Sequence, residues 1–183
     1  MQSNIVSPHL KYRTPEIEAL HSTVETKLKQ RFGEGLISSS IDYDFPVFTV
    51  KKDQIIDVLE FLYHDSALEF KFLTTLCTTH QPDVEGAEFG LMYQLHNLLS
   101  NFRIRVKCFM PKNDITVRTA TSLFRTANWM ERQEYDFFGV VFEGHPNLKR
   151  ILNMDEMNYF PMRKEYPLED ARREDKDNSF FGR

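Results

Sequence analysis

Two cysteines in 183 residues are too few to ligate an iron–sulfur cluster, which generally takes a full set of protein ligands, usually thiolates. Cys77 and Cys108 fall on separate expected strands and read most simply as reduced, buried small hydrophobes. Glycine is also scarce, with seven in the chain, and no Gly-x-Gly-x-x-Gly follows a strand. Gly33-Glu34-Gly35 follows a helix instead, so the fingerprint of a dinucleotide-binding turn is missing. The histidines at 9, 21, 64, 80, 96 and 145 lack the spacing of a metal-binding helix. Ser38-Ser39-Ser40 has no nucleophile elbow. No apolar run approaches the roughly 18 residues of a membrane span. The start, MQSNIVSPHL, has neither the basic nor the apolar region of a signal peptide, so a soluble cytosolic chain is expected. A formal net charge of -4 provides no basic face for nucleic acid. The expectation is therefore that this chain holds no catalytic, cofactor-binding or metal-ligating residues of its own.

Aromatic side chains are plentiful. Sixteen Phe and seven Tyr exceed the obvious need of one small core, and exposed aromatics concentrate at protein–protein contacts. At 183 residues and 41% hydrophobic content the chain suits about one globular domain with its own core. Thr14 followed by Pro15 reads as an N-cap with proline at the first helical position, and Ile17, Leu20, Val24, Leu28 and Phe32 form the apolar stripe of a helix ended by Gly33 and Gly35. Two short strands follow, one with Ile37, Ser39, Ile41 and Tyr43 on a shared face and one over 46–50. Asp53 is placed to cap a second helix that buries Ile55, Ile56, Val58, Leu59, Leu62 and Tyr63 and ends near Asp65. Strands over 70–78, 89–95 and 103–109 come next, with 81–88 as a hairpin loop. This order, helix-strand-strand-helix-strand-strand-strand, predicts an α+β fold: a two-layer α/β sandwich with its helices on one face of one mixed sheet. A C-terminal helix and an extended arm complete it. The expected division is an N-terminal arm at 1–13, the two-layer domain at 14–152 and an extended C-terminal arm at 153–183.

Most of the chemistry sits in 129–152, WMERQEYDFFGVVFEGHPNLKRIL. Asn128 can act as N-cap with Glu131 reaching back as a capping box, and Gly139 supplies the residue that tolerates positive φ past the helix end. If the helix starts nearer Ala120, then Phe124, Ala127, Glu131, Tyr135 and Phe138 share one stripe. Glu131, Glu134 and Asp136 can be read as a general acid/base cluster, because carboxylates in apolar surroundings have raised pKa values. The simpler reading is structural: a capping-box Glu131 and an i,i+4 pair between Arg132 and Asp136.

The same segment resembles the 30 kDa, or C-type, subunit family of respiratory complex I, the proton-translocating NADH:quinone oxidoreductase. That signature opens on Glu131-Arg132, continues through Asp136, Phe137 and Phe138 to His145, and closes on Lys149, Ile151 and Leu152. Gln133 stands where the family usually has a second Glu. Downstream, 161–168 (PMRKEYPL) matches the family's Pro-Leu-Arg-Lys-Asp-Phe-Pro-Leu element, with Tyr159-Phe160 in place of the usual Gly-His. The likeness spans roughly residues 14–168 and is specific from 129 onward. It implies the same two-layer fold and a non-redox scaffold role in the peripheral arm, supporting electron transfer from NADH to quinone coupled to proton translocation. Iron–sulfur clusters, FMN and quinone would then belong to partner subunits. The partners would include the quinone-site and cluster-bearing subunits, with no nucleic acid and no direct membrane insertion, on the cytoplasmic side of the cell inner membrane. Within the matched elements, Glu131, Arg132, Asp136, Gly139, His145, Arg150, Arg163 and Lys164 are implied as structural or interface groups, arginine being suited to bidentate pairing with partner carboxylates.

Residues 153–168 read as an arm docked on a neighbour through Tyr159, Phe160 and Tyr166, and His145-Pro146 as an extended exit from the domain. The charged tail 169–183 is either a disordered end or a further docked stretch anchored by Phe180 and Phe181. Two rivals stand beside this reading. One is an equivalent scaffold subunit of a membrane-bound hydrogenase or formate-linked complex. The other is a free-standing acid/base enzyme using Glu131, Glu134 and His145.

Overall fold

The first helix forms where its local signals put it. In the computed structural model, which describes residues 14–166, Thr14 is extended and its hydroxyl oxygen accepts from the Ile17 amide at 3.4 Å. Pro15 takes the first helical position, where no amide partner is needed. α1 (Pro15–Phe32) ends as Gly33 turns to φ +53°. Only one stripe of it is buried, through Val24 and Leu28, and His21 stacks on Phe48 beneath. The expectations for 1–13 and 167–183, Phe180 and Phe181 included, lie outside the described residues.

β1 (Leu36–Asp42) and β2 (Phe45–Val50) make an antiparallel hairpin. A bulge between Leu36 and Ser38 displaces Ile37 from the alternation and leaves it 60% exposed, while Ser39 and Ile41 stay on the expected shared face. A 3₁₀ turn (Lys52–Gln54) leads into α2 (Ile55–His64). Asp53 does not cap that helix. Gln54 already has helical backbone and no side-chain cap bond, because the chain enters α2 coiled and offers no extended residue to fold back on the first amides. On the apolar face of α2, Ile55, Ile56, Val58, Leu59 and Leu62 are buried as expected, while Tyr63 is only half-buried.

β3 (Phe72–His80), β4 (Phe89–Asn97) and β5 (Phe102–Met110) complete a five-stranded sheet in the order β1-β2-β5-β4-β3. The sheet is mixed, since β2 and β5 run parallel and the other neighbours antiparallel. Phe89, Leu91, Tyr93 and Leu95 on β4 sit beside Met110, Cys108, Val106 and Ile104 on β5, and this fully buried face carries the core. α1 lies against β1 and β2, α2 against β5, and α3 (Ala127–Phe138) along edge strand β3. The observed fold is the expected two-layer α/β sandwich. It also contains a small parallel pair, β6 (Thr116–Arg118) and β7 (Val141–Glu143), which joins the chain before α3 to the chain after it. Strands of three residues are too short for alternation to reveal.

α3 corrects the expected N-cap. Residues 120–126 form successive turns, Thr126 precedes the helix in helical backbone without a side-chain bond, and Asn128 lies inside the helix. No capping box forms, which frees Glu131 for other partners. The C-terminal end is as expected: Gly139 adopts φ +77° and ψ 25°, and its amide donates to the Tyr135 carbonyl at 2.8 Å. A Cβ there would also come within 2.6 Å of both the Phe160 ring and the Arg163 guanidinium. Gly139→Val is therefore expected to cost about 2 kcal/mol or more, from left-handed strain and from displacement of two side chains. Thermal melting followed by circular dichroism measures it, and an unchanged midpoint would contradict both causes.

Candidate functional site

The polar residues of α3 and the loop after it form one network. Asp136 is fully buried near the end of α3. One of its oxygens accepts from the backbone amides of Ile151, Leu152 and Asn153 at 3.1, 2.8 and 2.9 Å. The other accepts from the Arg150 guanidinium at 2.7 Å and the Asn153 side-chain amide at 3.1 Å. Burial pushes this carboxyl up, but the Asn153 and Leu152 amides and Arg150 outweigh it and hold the group far below the usual carboxylate range. Arg150 is as fully engaged. It also donates to the carbonyls of Asp136, Met157 and Tyr159 at 2.9, 2.7 and 2.8 Å, and its guanidinium lies over the Phe160 ring.

Arg132 does not pair with Asp136 as its i,i+4 neighbour. It donates to the carbonyls of Lys149 and Arg150 at 3.1 and 3.0 Å and lies beside the Trp129 ring. Non-local backbone groups outcompete the helical pair because the loop 149–153 folds back across the end of α3. His145 closes the other side of that loop. Its Nε2 donates to the Asn128 carbonyl and its Nδ1 accepts from the Asn147 amide, both at 3.0 Å, so one tautomer serves both bonds. The residue before Pro146 thus ties the chain back to α3, where an outward exit was expected.

Two further carboxylates of α3 point to the other side. Glu131 accepts from the Ala120 amide at 2.7 Å and the Thr119 hydroxyl at 2.5 Å, pinning the turns that precede the helix. Glu134 accepts from the Thr78 amide on edge strand β3 at 2.7 Å. Neither has a cationic partner among the described residues. Burial pushes each up to about 7, against the hydrogen bonds from Thr119 and Ala120 in one case and from Thr78 in the other. Burial, and after it the Glu131 carboxylate, also pushes the enclosed Tyr93 phenol well above its ordinary range. The raised pKa values expected of an acid/base cluster are thus present at Glu131 and Glu134 but not at Asp136, and the carboxylates face backbone amides. Gln133, at the position where the signature departs, is exposed on α3.

Residues 153–166, expected as an arm docked on a neighbour, are fastened to their own domain. Arg163 donates to the Phe138 carbonyl at 2.7 Å, an acceptor left open by the helix end, and its guanidinium lies over the Phe160 and Phe89 rings. The Met162 amide donates to the Phe137 carbonyl at 3.2 Å. The Lys164 amide donates to Nδ1 of buried His80 at 3.0 Å, while the Lys164 side chain is exposed. Phe160 meets Tyr135 edge to face. Reversing the charge of Arg163 should therefore disturb the fold itself; of the structural and interface roles expected for it, these contacts are structural. His80 and Glu134 were not assigned these roles from sequence, because their partners lie 84 and 56 positions away.

Together the fold and the network define a class: a two-layer α/β domain whose charged residues on and after α3 fasten its own backbone. The chain belongs to the family described as respiratory-chain NADH dehydrogenase, 30 Kd subunit, which matches residues 48–172. It is 39% identical over 150 residues to the C-type NADH-quinone oxidoreductase subunit of Citrifermentans bemidjiense, covering 81% of this chain and 90% of that one. With the second C-type subunit of Rhizobium meliloti it shares 38% over 138 residues, 75% of this chain and 74% of the relative. Among solved structures, a trypsin-resistant fragment (1–134) of Nqo5 superposes with a TM-score of 0.58 at 27% identity, covering 68% of this chain and 98% of the fragment. The chain is thus a complex I subunit, and other subunits of that complex are its partners.

Asp136→Asn is expected to cost about 3–5 kcal/mol in urea unfolding, because it leaves the Arg150 charge buried without its counter-charge. The Asp136 pKa is lowered on folding, so its contribution is present above the ordinary value of 3.8 and is lost as pH falls below it. Glu131 and Glu134 act with the opposite sign. Their folded values lie above the ordinary 4.5, so their contribution is complete below 4.5 and is lost as pH rises through about 7. Replacing both by Gln, which keeps an acceptor oxygen, should raise stability relative to wild type by about 1 kcal/mol or more at pH 8. The difference should shrink toward pH 5. Parallel pH profiles of the melting temperature would refute this if the two proteins tracked each other.

Proposed function

We propose that this chain is a non-redox scaffold of the peripheral arm, holding cluster-bearing and quinone-binding subunits in the geometry that electron transfer from NADH to quinone requires. The observation that carries this reading is the commitment of the charged residues of α3 and of the segment that follows it. Glu131, Arg132, Glu134, Asp136, His145 and Arg150 all bond backbone groups of their own chain. A general acid or base must present its proton site to a substrate. Glu131, Glu134 and His145 instead reach three different segments and do not converge, which removes support from the free-standing enzyme. The identities of 38 and 39% to quinone oxidoreductase subunits favour this complex over a hydrogenase or formate-linked one.

In this reading iron–sulfur clusters, FMN and quinone reside in partner subunits, and the transfer they perform is coupled to proton translocation. Among the described residues no helix is long and apolar enough to cross a membrane. In this reading attachment is peripheral, on the cytoplasmic side of the cell inner membrane, as the family resemblance implies. Trp129, Leu152, Met154 and Met162 are exposed around the network and offer apolar anchors to neighbouring subunits.

A tagged copy of the chain, recovered from gently solubilised membranes, is expected to bring the cluster-bearing and quinone-site subunits with it. Purified alone it should be colourless and should neither oxidise NADH nor reduce quinone. Stoichiometric iron–sulfur or flavin absorbance in the pure chain, or recovery of the tagged chain without those subunits, would overturn the proposal.

A further inference from the structure

Helices cover one face of the five-stranded sheet, and the composition of the other face is one-sided. β5 is the central strand, and alternation sends Ile104, Val106 and Cys108 into the core and Arg103, Arg105 and Lys107 to the opposite face. The five strands together contain a single carboxylate, Asp42 on outer strand β1. Its oxygen lies 3.7 Å from the Lys107 ammonium, a loose pair. Arg105 is held in place without being neutralised: its guanidinium lies 4.1 Å from the centre of the Phe45 ring and donates to the Gln94 side chain at 3.3 Å. Arg103 makes no ion pair among the described residues, although Asp44 in the turn between β1 and β2 lines the same cleft at the end of the sheet. Aromatic rings flank these cations on the same face, with Phe109 at 40% and Phe72 at 41% exposure.

We infer that this open sheet face is a docking surface for a segment of another subunit of the complex that carries Asp or Glu side chains; the inference rests on the scaffold reading above. Charge decides the occupant. Three cations outnumber the paired Asp42 and, at the end of the sheet, Asp44, so the face is net positive and attracts an acidic segment, and a second copy docked through the same face would bring like charges together at an electrostatic cost. Arginine beside half-exposed aromatics is also the composition that anchors interfaces, and Arg105 is already held over the Phe45 ring and by Gln94, so it loses little freedom when a carboxylate arrives. Pairing on this face does not involve the exposed apolar groups around the α3 network, so the domain can bridge two neighbours.

The test uses the intact complex in cells. Arg103→Glu changes a side chain with no ion-pair partner in the described fold, so the variant should melt as wild type does, and its recovery with the complex should drop about tenfold or more, increasingly so at low salt. A triple variant, Arg103→Glu with Arg105→Glu and Lys107→Glu, should lose assembly. If the triple variant fails to fold, a photo-crosslinking residue at position 109 decides: it should join a peptide of another subunit that has Asp or Glu within a few residues of the link. The inference is overturned by undiminished recovery of Arg103→Glu. It is overturned equally by a cross-link to a second copy, to residues 1–13 or 167–183 of the same chain, or to a segment without carboxylates, or by no cross-link at all. Recovery of wild type with the complex alongside any of these leaves the scaffold reading standing. A wild-type chain that travels without the complex overturns both.

Discussion

The buried pair of Asp136 and Arg150 organises everything that follows α3. A carboxylate with no exposure has to be matched by donors, and Asp136 gathers three consecutive backbone amides, a side-chain amide and a guanidinium. That requirement bends 150–153 across the helix end. Arg150, drawn inward by the same bond, carries charge that must also be satisfied, and it takes the carbonyls of Met157 and Tyr159. The position of Phe160 and Arg163 over Gly139 follows from there. One ion pair thus converts a stretch with no regular secondary structure into a defined surface. Because the pair is shielded from solvent, salt screens it far less than an exposed pair.

The other carboxylates of α3 serve the opposite flank. Glu131 holds the turns at 119–120 and Glu134 holds an amide on edge strand β3, so a single helix is fastened to the sheet edge, to the chain before it and to the chain after it. Without Glu134, the Thr78 amide would be buried against α3 with no acceptor. The difference in acidity among the three groups has a plain origin. Asp136 has a guanidinium among its five donors, whereas Glu131 and Glu134 accept from neutral donors alone, so burial prevails there. A motif dense in acids, bases and histidine is here accounted for by hydrogen bonds to the chain's own backbone.

Beyond Phe45, Phe72 and Phe109 on the open sheet face, the surplus of aromatics divides mainly between two duties. Phe48, Phe70, Phe89, Tyr93 and Phe142 fill the core between sheet and helices, whereas Phe160, Tyr159 and Tyr166 pack around the returning segment. Neither group accounts for Trp129 or the methionines at 154 and 162, which stay exposed beside the network. The proposed scaffold role would need adhesive surface as well as a rigid frame, and the rigid frame is what presents these side chains.

Local physics made much of this legible from sequence. Thr14-Pro15, the apolar face of α2, the alternation along β4 and β5 and the left-handed Gly139 each depend on a few neighbouring residues, so spacing and residue type were sufficient for them. The aggregate order of elements implied the two-layer sandwich for the same reason. Asn128 and Asp53 misled as caps because a cap depends on the backbone of the preceding residue, which turns at 120–126 and 52–54 had already coiled. Arg132 beside Asp136 misled because helical spacing permits a pair without preferring it to a buried amide elsewhere. Which partner each charge takes was decided by tertiary structure alone. Arg150 to Asp136, Arg163 to Phe138, Glu134 to Thr78 and Lys164 to His80 are separated by 14, 25, 56 and 84 positions. A buried charge selects whichever donor or acceptor the folded backbone leaves unpaired within reach, and that choice exists only once the sheet, α3 and the returning segment have come together.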